Sequence, residues 1–383
     1  MQDLLKPKIV SFNKIKKLWK DNKRPTQLYI HSAFCKSICK FCIYRGGLDL
    51  SKHGTLYTKY FNEYLPNQVS SYLDIIKNQT LQGIYFGGGT PNIEEDLANL
   101  KPTFSLLHNI PCIEKTIELH FGLPITDKTI KVLAEEHFNS VILCIQTLDE
   151  TKLKEENRLN IANNNLDKII GKLHQININV GIDIIAFPDN YDRAVEDMKK
   201  LMSLKNKPDE VTILHKLEPG CDSYTPTQIM SPEQQIKLHL LTRDLYETII
   251  GSDDRSFTFV LRSKFKEYDK SFYSFRSYQM ATPDDDRALI GIGSTRKTGH
   301  RSYSVLGRYI YFENADLTKN KVNYALYQVP TAKECIKNAL KDIDMEDIFR
   351  DNSSLEFKIM YPTPEFVKDY QLARPSVLIK YKR

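Results

Sequence analysis

Three cysteines lie within one short segment of the chain, as Cys35, Cys39 and Cys42 in a C-x3-C-x2-C spacing. Three thiolates on one loop can each bind one iron of a [4Fe–4S] cluster and leave the fourth iron without a protein ligand. The amino and carboxylate groups of S-adenosylmethionine (SAM) can chelate that iron. An electron from the cluster then breaks the sulfonium C–S bond and yields a 5′-deoxyadenosyl radical. The spacing therefore predicts a cluster that binds and reductively cleaves SAM.

A structural zinc site and three unrelated thiols are the alternatives to a cluster. Structural zinc sites use four ligands, commonly as two short pairs, and the sequence has no second Cys-x2-Cys and no His pair. His31 is near enough in sequence to be a fourth ligand, but it falls within a predicted strand, which favours packing. The remaining cysteines are scattered and are interpreted as small buried hydrophobic residues: Cys112, Cys144, Cys221 and Cys335.

The composition is that of a globular protein. Of the 383 residues, 41% are hydrophobic and 27% are charged, which is enough to bury a full core. The net charge of +6 comes from charges of both signs without a block of like charges, so a nucleic-acid partner is not expected. The N-terminus lacks the apolar segment of a signal peptide, and no apolar run of about 18 residues occurs. We expect a cytoplasmic protein without a membrane partner.

Short apolar runs alternate with segments of helical periodicity through the first two thirds of the chain. The runs predict strands at 27–34, 83–87, 116–121, 140–146, 179–187 and 210–217. Helices are predicted at 57–77, 94–107, 127–137, 165–176, 191–204 and 232–250. This alternation predicts an α/β fold with right-handed βαβ units and a parallel sheet. Six units favour a partial (β/α)6 TIM-like barrel, in which ligands bind at the carboxyl ends of the strands.

The rhythm of strands and helices divides the chain into three parts. Residues 1–25 are Lys-rich and form an N-terminal extension with a short amphipathic helix. Residues 26–251 form the barrel core. After that the pattern becomes mixed, and residues 252–383 are predicted to form a smaller C-terminal substrate or cap domain.

Polar residues and a glycine-rich segment come at or near the ends of the later strands. Gly87, Gly88, Gly89 and Thr90 follow the second strand, where residues without a side chain let the backbone approach a ligand closely. Gln146 ends the fourth strand and Arg158 lies twelve residues on. Asp183 falls within the apolar fifth strand, and a buried carboxylate there needs a partner. A tight turn and a loop-capping carboxylate are the alternatives to ligand contact.

These segments together resemble one family. The stretch from Tyr29 to Cys35, the glycine segment, Gln146, Asn157-Arg158 and Ile182-Asp183 resemble the radical SAM enzymes typified by oxygen-independent coproporphyrinogen III oxidase, with the related heme chaperones. The resemblance implies the radical SAM type of barrel. It also implies that the glycine segment contacts the SAM amino group.

Further SAM contacts are implied by the same resemblance. Gln146, Arg158 and Asp183 match residues that contact SAM, and Tyr29 and Phe41 match aromatic residues that pack on it. The family has a Glu on the third strand, and here Glu118 or His120 can occupy that place. We select Glu118, because a carboxylate accepts hydrogen bonds from the ribose or the amino group.

The sequence also departs from the family. The coproporphyrinogen oxidases have a further cysteine two residues after the third, where this chain has Tyr44, and Ala33 replaces the proline that usually precedes Phe-Cys. The decarboxylase reaction is therefore a weaker guide. Related members bind two SAM molecules and transfer a methyl or methylene group, so one or two SAM molecules are expected.

The expected function is radical modification of an organic substrate, such as a porphyrin or an intermediate of secondary metabolism, by an oxidoreductase or methyltransferase type of reaction. The resemblance implies an electron donor such as flavodoxin or ferredoxin. The alternatives are a heme chaperone, with His120, His215 or Cys144 as axial ligands, and a homologue that has lost its chemistry.

Overall fold

The computed structural model describes most of the chain. The described residues are 8–42, 48–158, 165–215, 222–223, 230–250, 256–265, 287–293, 303–316, 321–328, 354–360 and 376–382. Tyr44, Cys221 and Cys335 lie outside these ranges. No helix among these residues has the length and apolar character needed to cross a membrane.

The described strands form one large sheet and two small ones. The strands are β1 (Lys8–Val10), β2 (Thr26–Ser32), β3 (Phe34–Cys35), β4 (Leu48–Asp49), β5 (Leu81–Gly88), β6 (Glu114–His120), β7 (Ser140–Gln146), β8 (Asn179–Ile185), β9 (Glu210–Leu214), β10 (Tyr246–Ile250), β11 (Ser256–Leu261), β12 (Ala288–Ile292), β13 (Tyr303–Leu306), β14 (Tyr309–Asp316), β15 (Lys321–Gln328), β16 (Ser354–Met360) and β17 (Ser376–Lys382). The large sheet has the order β1-β15-β14-β13-β12-β2-β5-β6-β7-β8-β9-β11-β10, and β3-β4 and β16-β17 pair separately.

Helices lie between the strands along the chain. They are α1 (Phe12–Trp19), α2 (Gly54–Lys59), α3 (Leu65–Lys77), α4 (Lys101–Leu107), α5 (Asp127–Glu135), α6 (Glu150–Glu155), α7 (Leu166–Gln175), α8 (Asp192–Ser203) and α9 (Pro232–Thr242). A π-helical turn at Tyr60–Tyr64 joins α2 to α3, and 3-10 turns occur at Leu50–Lys52 and Glu95–Leu100. The first turns of α5 and α9 are fixed by Thr126 and Ser231, whose hydroxyls accept backbone N–H groups.

The predicted partial (β/α)6 barrel, which we call the half-barrel, is confirmed. β2, β5, β6, β7, β8 and β9 lie side by side, and each neighbouring pair is parallel. The sheet does not close on itself, because β1 and β10 stand at its two ends. All six carboxyl ends therefore lie along one edge, which we call the site edge.

The two faces of the half-barrel differ in chemistry. Leu28, Ile30 and Phe86 belong to the large core that the helices cover. Tyr29 and Tyr85 alternate with them and belong to a second cluster that includes residues of β12–β15. Because successive side chains of a strand point to opposite faces, the tyrosines lie on the face away from the helices.

The predicted helix at 232–250 was wrong in its second half. The helix ends at Thr242, and Tyr246–Ile250 forms β10, antiparallel to β11. Glu247-Thr-Ile-Ile is rich in β-branched side chains, which fit a pleated sheet better than a helix. Pairing with β11 therefore favours a strand over a helix in this segment.

Strands from both sides of the predicted domain boundary share the large sheet. β12 pairs with β2 in parallel, and β13, β14 and β15 follow it in antiparallel order. Residues of the N-terminal segment join too: β1 pairs with β15, and Trp19 Nε1 donates to the hydroxyl of Tyr311 at 2.7 Å. The boundaries at residues 25 and 251 stay a prediction.

Candidate cluster and S-adenosylmethionine site

The three cysteines occupy one loop that leaves β3 at the site edge. Cys35 is the last residue of β3, and the N–H of Cys42 donates to the carbonyl of Cys39 at 3.2 Å. The pKa of the Cys35 thiol is raised to about 12, mainly by burial and to a lesser extent by the nearby Cys42 and Cys39, while a hydrogen bond with Thr90 and the charge of Arg158 oppose the rise. Without metal the thiol therefore stays protonated, and iron binding must release its proton.

The end of α6 holds the cysteine loop from outside. The carbonyl of Glu156 accepts the N–H of Lys40 at 3.0 Å, and Asn157 Nδ2 donates to the carbonyl of Ile38 at 2.8 Å. Arg158 follows directly, with Nη1 3.6 Å from the sulfur of Cys39. Asn157 adopts a φ of 55°, in the left-handed region that asparagine tolerates better than most residues. Glu156, Asn157 and Arg158 thus hold two backbone groups and one thiol of the cysteine loop.

The role of Asn157 was missed by sequence reasoning. Its one signal was its place beside Arg158 in the family resemblance. A second anchor, also missed, comes from the residues after β9: the N–H of Asp222 donates to the carbonyl of Lys40 at 2.8 Å, and Ser223 Oγ donates to the Glu156 carboxylate at 2.5 Å.

The glycine segment begins with the last two residues of β5, Gly87 and Gly88, and packs closely on β2. The N–H of Gly89 donates to the carbonyl of Ser32 at 2.5 Å, and Gly88 has a φ of 108°. A Cβ on Gly88 would lie 2.4 Å from His31 Nδ1, and one on Gly87 would lie 2.9 Å from Glu118 Oε2. A side chain at Gly88 would therefore clash with β2 in a backbone conformation that favours glycine, and a side chain at Gly87 would displace Glu118.

Tyr29 and Glu118 lie near this segment, on the face of the half-barrel that points away from the helices. Tyr85 donates its hydroxyl to Glu118, and its ring stacks on Tyr29 with centroids 6.1 Å apart. The Tyr29 hydroxyl is 3.1 Å from His31 Nδ1. Glu118 is half-buried and Tyr29 is buried. The structure therefore places the Glu118 carboxylate against the glycine segment. Tyr85 lies between Glu118 and Tyr29 and contacts both.

Gln146 ends β7 at an irregularity in the pairing with β8. The register shifts between Cys144 and Gln146, and Gln146 takes a left-handed φ of 73°. Its Oε1 is buried and has no hydrogen-bond partner among the residues that the structure describes. Such an atom costs free energy until a donor reaches it, so the amide is suited to a ligand.

Arg158 links the cysteine loop to the end of β7. Its Nη2 donates to the carbonyl of Cys144, and its guanidinium lies 5.8 Å from the centroid of the Phe41 ring. Phe41 in turn packs edge-on against Phe187 at 5.8 Å. Asp183 lies in register with Cys144 on the next strand and is half-buried. Arg158 and Phe41 are thus in contact, with Asp183 one strand over from Cys144.

The donor set fits a [4Fe–4S] cluster with bound SAM. Three thiols share one loop, a glycine segment leaves backbone accessible beside them, and the Gln146 amide oxygen awaits a donor. Three thiolates complete a cubane cluster apart from one iron. Over the described ranges, no three His, Cys, Asp or Glu side chains are arranged to bind a single metal ion.

Comparison with known proteins agrees with this geometry. Residues 29–202 match the family model "Radical SAM superfamily". Over these residues the chain is similar to the radical SAM superfamily. It is also similar to the heme chaperone HemW of Lactococcus lactis, with 28% identity over 188 residues that make up 48% of this chain and 47% of that protein. The matched part therefore spans about half the length of that relative.

Two further similarities cover more of the chain. The heme chaperone HemW of Buchnera aphidicola is 24% identical over 319 residues, which are 80% of this chain and 79% of that protein. The structure of the coproporphyrinogen III oxidase HemN of Escherichia coli, described as a radical SAM enzyme, matches with a TM-score of 0.59 and 17% identity. That match covers 89% of this chain and 82% of that one, and shows that the radical SAM fold is shared.

Proposed function

We propose that this protein is a radical SAM enzyme that generates a 5′-deoxyadenosyl radical and uses it to modify an organic substrate. The observation that carries the proposal is the meeting of the cysteine loop, the glycine segment and Arg158 at one edge of the half-barrel. A [4Fe–4S] cluster held there supplies an open iron and an electron for the reductive cleavage of SAM.

The chain's own residues divide the work of binding. Cys35, Cys39 and Cys42 hold the cluster, and Thr90 contacts the first of them. Gly87, Gly88 and Gly89 present backbone to the SAM amino group, and Glu118 lies against them as an acceptor. Gln146, Arg158 and Asp183 contact the rest of SAM, and Tyr29 and Phe41 supply its apolar and aromatic surroundings.

The substrate class follows from the relatives. The similar proteins include heme chaperones and a coproporphyrinogen III oxidase, which supports a porphyrin-related small molecule. Oxidation of such a molecule and methyl or methylene transfer with a second SAM both belong to this proposal, as does an intermediate of secondary metabolism as substrate. A flavodoxin or ferredoxin is the proposed electron donor, and the cytoplasm is the proposed location.

The proposal is tested by anaerobic reconstitution with iron and sulfide, followed by addition of dithionite and SAM. We expect 5′-deoxyadenosine and methionine in the products by mass spectrometry. Cys39→Ala should lose the broad visible absorbance of the cluster and both products. Cys112→Ala is the matched control, because Cys112 packs against the main core and not in the cysteine loop. A fully loaded wild-type cluster that yields neither product would contradict the enzyme.

Heme transfer is the second candidate, favoured by the similarity to heme chaperones over 80% of this chain. Of the proposed axial ligands, His215 stacks on Phe257 with centroids 4.5 Å apart, and Cys144 lies between His120 and Asp183 in the sheet. A chaperone should take up heme stoichiometrically and deliver it to an apo-acceptor protein without forming 5′-deoxyadenosine. Heme uptake is followed by the Soret absorbance, and failure to bind heme would exclude this candidate.

A further inference from the structure

His120 is a buried imidazole at the site edge that the proposed SAM contacts do not use. It is the last residue of β6, beside Cys144 of β7, which is itself beside Asp183 of β8. Only 8% of its surface is exposed. Because His120 and Glu118 are two residues apart on one strand, their side chains project from the same face of the sheet. His120 therefore lies nearer to the strand end than the selected carboxylate.

The backbone of His120 is held by the loop that contains the glycine segment. Asn92 Oδ1 accepts the N–H of His120 at 2.8 Å, and Asn92 Nδ2 donates to its carbonyl at 3.2 Å. Asn92 follows Pro91 directly, at the end of that segment. The paired bonds fix the imidazole relative to the residues proposed to contact SAM.

One ring nitrogen of His120 is satisfied and the other is not. The N–H of Gly122 donates to Nδ1 at 3.0 Å, which places the ring proton on Nε2. Nε2 is buried and has no hydrogen-bond partner in the described part of the chain. Burial, followed by the positive charges of Arg158 and Lys36, holds the pKa of His120 well below its usual range. The imidazole is therefore a neutral donor without an acceptor.

The surroundings of His120 favour a negatively charged acceptor. Arg158 and Lys36 both lie close enough to disfavour a positive charge on the imidazole, and the same two charges attract an anion. The carboxylate is the anionic group of SAM, and oxygen atoms of a carboxylate accept several hydrogen bonds at once. A buried N–H beside a guanidinium is a suitable second donor for such a group.

We propose that Nε2–H of His120 donates a hydrogen bond to the carboxylate of bound SAM, alongside Arg158. This inference rests on the proposed function, since it requires SAM at the site edge. In the sequence analysis, His120 was the alternative to Glu118 as a SAM contact on the third strand. Both residues of that strand would then contact SAM, Glu118 as an acceptor and His120 as a donor.

Two substitutions separate the ring nitrogens of His120. His120→Asn keeps an acceptor near the position of Nδ1 for Gly122 but removes the donor at Nε2. His120→Gln places an amide N–H near the position of Nε2 instead. The probes are SAM and its decarboxylated analogue, measured by equilibrium dialysis against the anaerobically reconstituted protein. Iron content and the thermal unfolding midpoint are recorded for each variant.

We expect His120→Asn to weaken SAM binding by about tenfold, as for the loss of a hydrogen bond to a charged group. Binding of the decarboxylated analogue should be the same in wild type and His120→Asn, and His120→Gln should recover most of the SAM affinity. Equal SAM binding by wild type and a loaded His120→Asn would overturn the inference alone, as would equal weakening of both probes. A loaded wild-type protein that binds no SAM would overturn the proposed function.

A measurement with wild type alone keeps the test valid if a variant fails to fold. Ultraviolet resonance Raman or nitrogen NMR of histidine-labelled protein reports the hydrogen bonding of imidazole Nε2. SAM, but not the decarboxylated analogue, should shift one histidine signal of the wild-type protein. No SAM-dependent shift of a histidine signal would contradict the contact.

Discussion

The site edge and a tyrosine-rich region behind it use buried polar groups in opposite ways. The second region, the tyrosine seam, consists of Tyr60, Tyr64, Tyr311, Tyr324 and Glu313. Its hydroxyls meet partners inside the protein: Tyr64 donates to Glu313 at 2.7 Å, and Tyr60 lies 2.6 Å from the carbonyls of His31 and Gly293. At the site edge, Gln146 Oε1 and His120 Nε2 have no partner among the described residues.

The difference shows which region has its hydroxyls paired without a ligand. A buried polar group costs free energy unless it is paired. The seam pairs its tyrosine hydroxyls within the chain and joins the π-helical turn before α3 to β14 and β15, although Glu313 Oε2 has no partner among the described residues. At the site edge, two polar atoms without a partner among the described residues, Gln146 Oε1 and His120 Nε2, are proposed to bind SAM. Substitutions at the site edge should therefore change ligand binding first, and substitutions in the seam should change stability and its dependence on pH.

The largest effect is expected for Gly88→Ala, at the site edge. The new Cβ would require a left-handed φ and would clash with His31 and with the carbonyl of Ser32. Strain and overpacking together should lower the free energy of unfolding by about 4 kcal/mol, and SAM binding should be lost. Urea denaturation and equilibrium dialysis measure the two effects. Gly54→Ala is the control, because a Cβ there meets no atom within 4 Å; similar losses in both variants would contradict the packing argument.

A smaller effect is expected in the tyrosine seam, for Glu313→Gln. Burial raises the pKa of Glu313 from 4.5 to about 8, opposed by hydrogen bonds from Tyr64 and Tyr324. The folded protein therefore keeps a proton that the unfolded chain releases above its lower pKa. The stability that this proton provides is complete below pH 4.5 and is lost as the pH rises towards 8. The slope is negative because the native state binds more protons.

The test of the seam is a series of urea denaturations from pH 5 to pH 8. Wild type should lose on the order of 3 kcal/mol of unfolding free energy over this interval. Glu313→Gln should lose much less, because its amide does not titrate. Glu233→Gln serves as the control, since Glu233 is an exposed carboxylate 3.6 Å from Lys237. A Glu313→Gln slope equal to that of wild type would show that the seam does not set the pH dependence.

The seam also shows why the sequence predicted one region better than the other. The half-barrel and its cysteine loop were predictable, because apolar runs of strand length, glycines and cysteines at fixed spacing are local patterns. The pairing of Tyr64 with Glu313 joins residues 249 positions apart. No local pattern encodes such a contact, and the same applies to the entry of β12 beside β2.

Within the site, the sequence predicted which residues are present better than it predicted the features that depend on contacts between strands. The family resemblance implied SAM contacts for Arg158 and Gln146, whereas the left-handed backbone of Gln146 depends on a bulge against β8. The second half of the helix predicted over 232–250 was wrong for the same reason, because pairing with β11, from Tyr246 with Leu261 to Ile250 with Phe257, determines its structure. Glu118 was selected over His120 because a carboxylate accepts hydrogen bonds from the ribose or the amino group. Which nitrogen of His120 is satisfied depends on Gly122 and on the fold of the strand end, which no sequence pattern shows.

The smallest effect that distinguishes the regions is expected for Asn157→Ala. Asn157 and Asn177 both follow a helix in the left-handed conformation, with φ of 55° and 58°. Alanine at either position pays a similar backbone cost of about 1 kcal/mol. The Asn157 side chain additionally holds the carbonyl of Ile38, next to Cys39. Asn157→Ala should therefore release iron to a chelator about threefold faster than Asn177→Ala, while the two unfold at similar urea concentrations.

This comparison separates support of the cysteine loop from general stability. If iron leaves both alanine variants at the same rate, the Asn157 side chain contributes only to the helix end. Asn157→Asp adds a third measurement, because it tolerates the left-handed backbone but cannot donate to Ile38 when ionised. Faster iron loss from Asn157→Asp than from Asn177→Asp would assign the effect to the hydrogen bond. Retention of iron by the cysteine loop would then depend on the end of α6, an element that the cysteine motif does not predict.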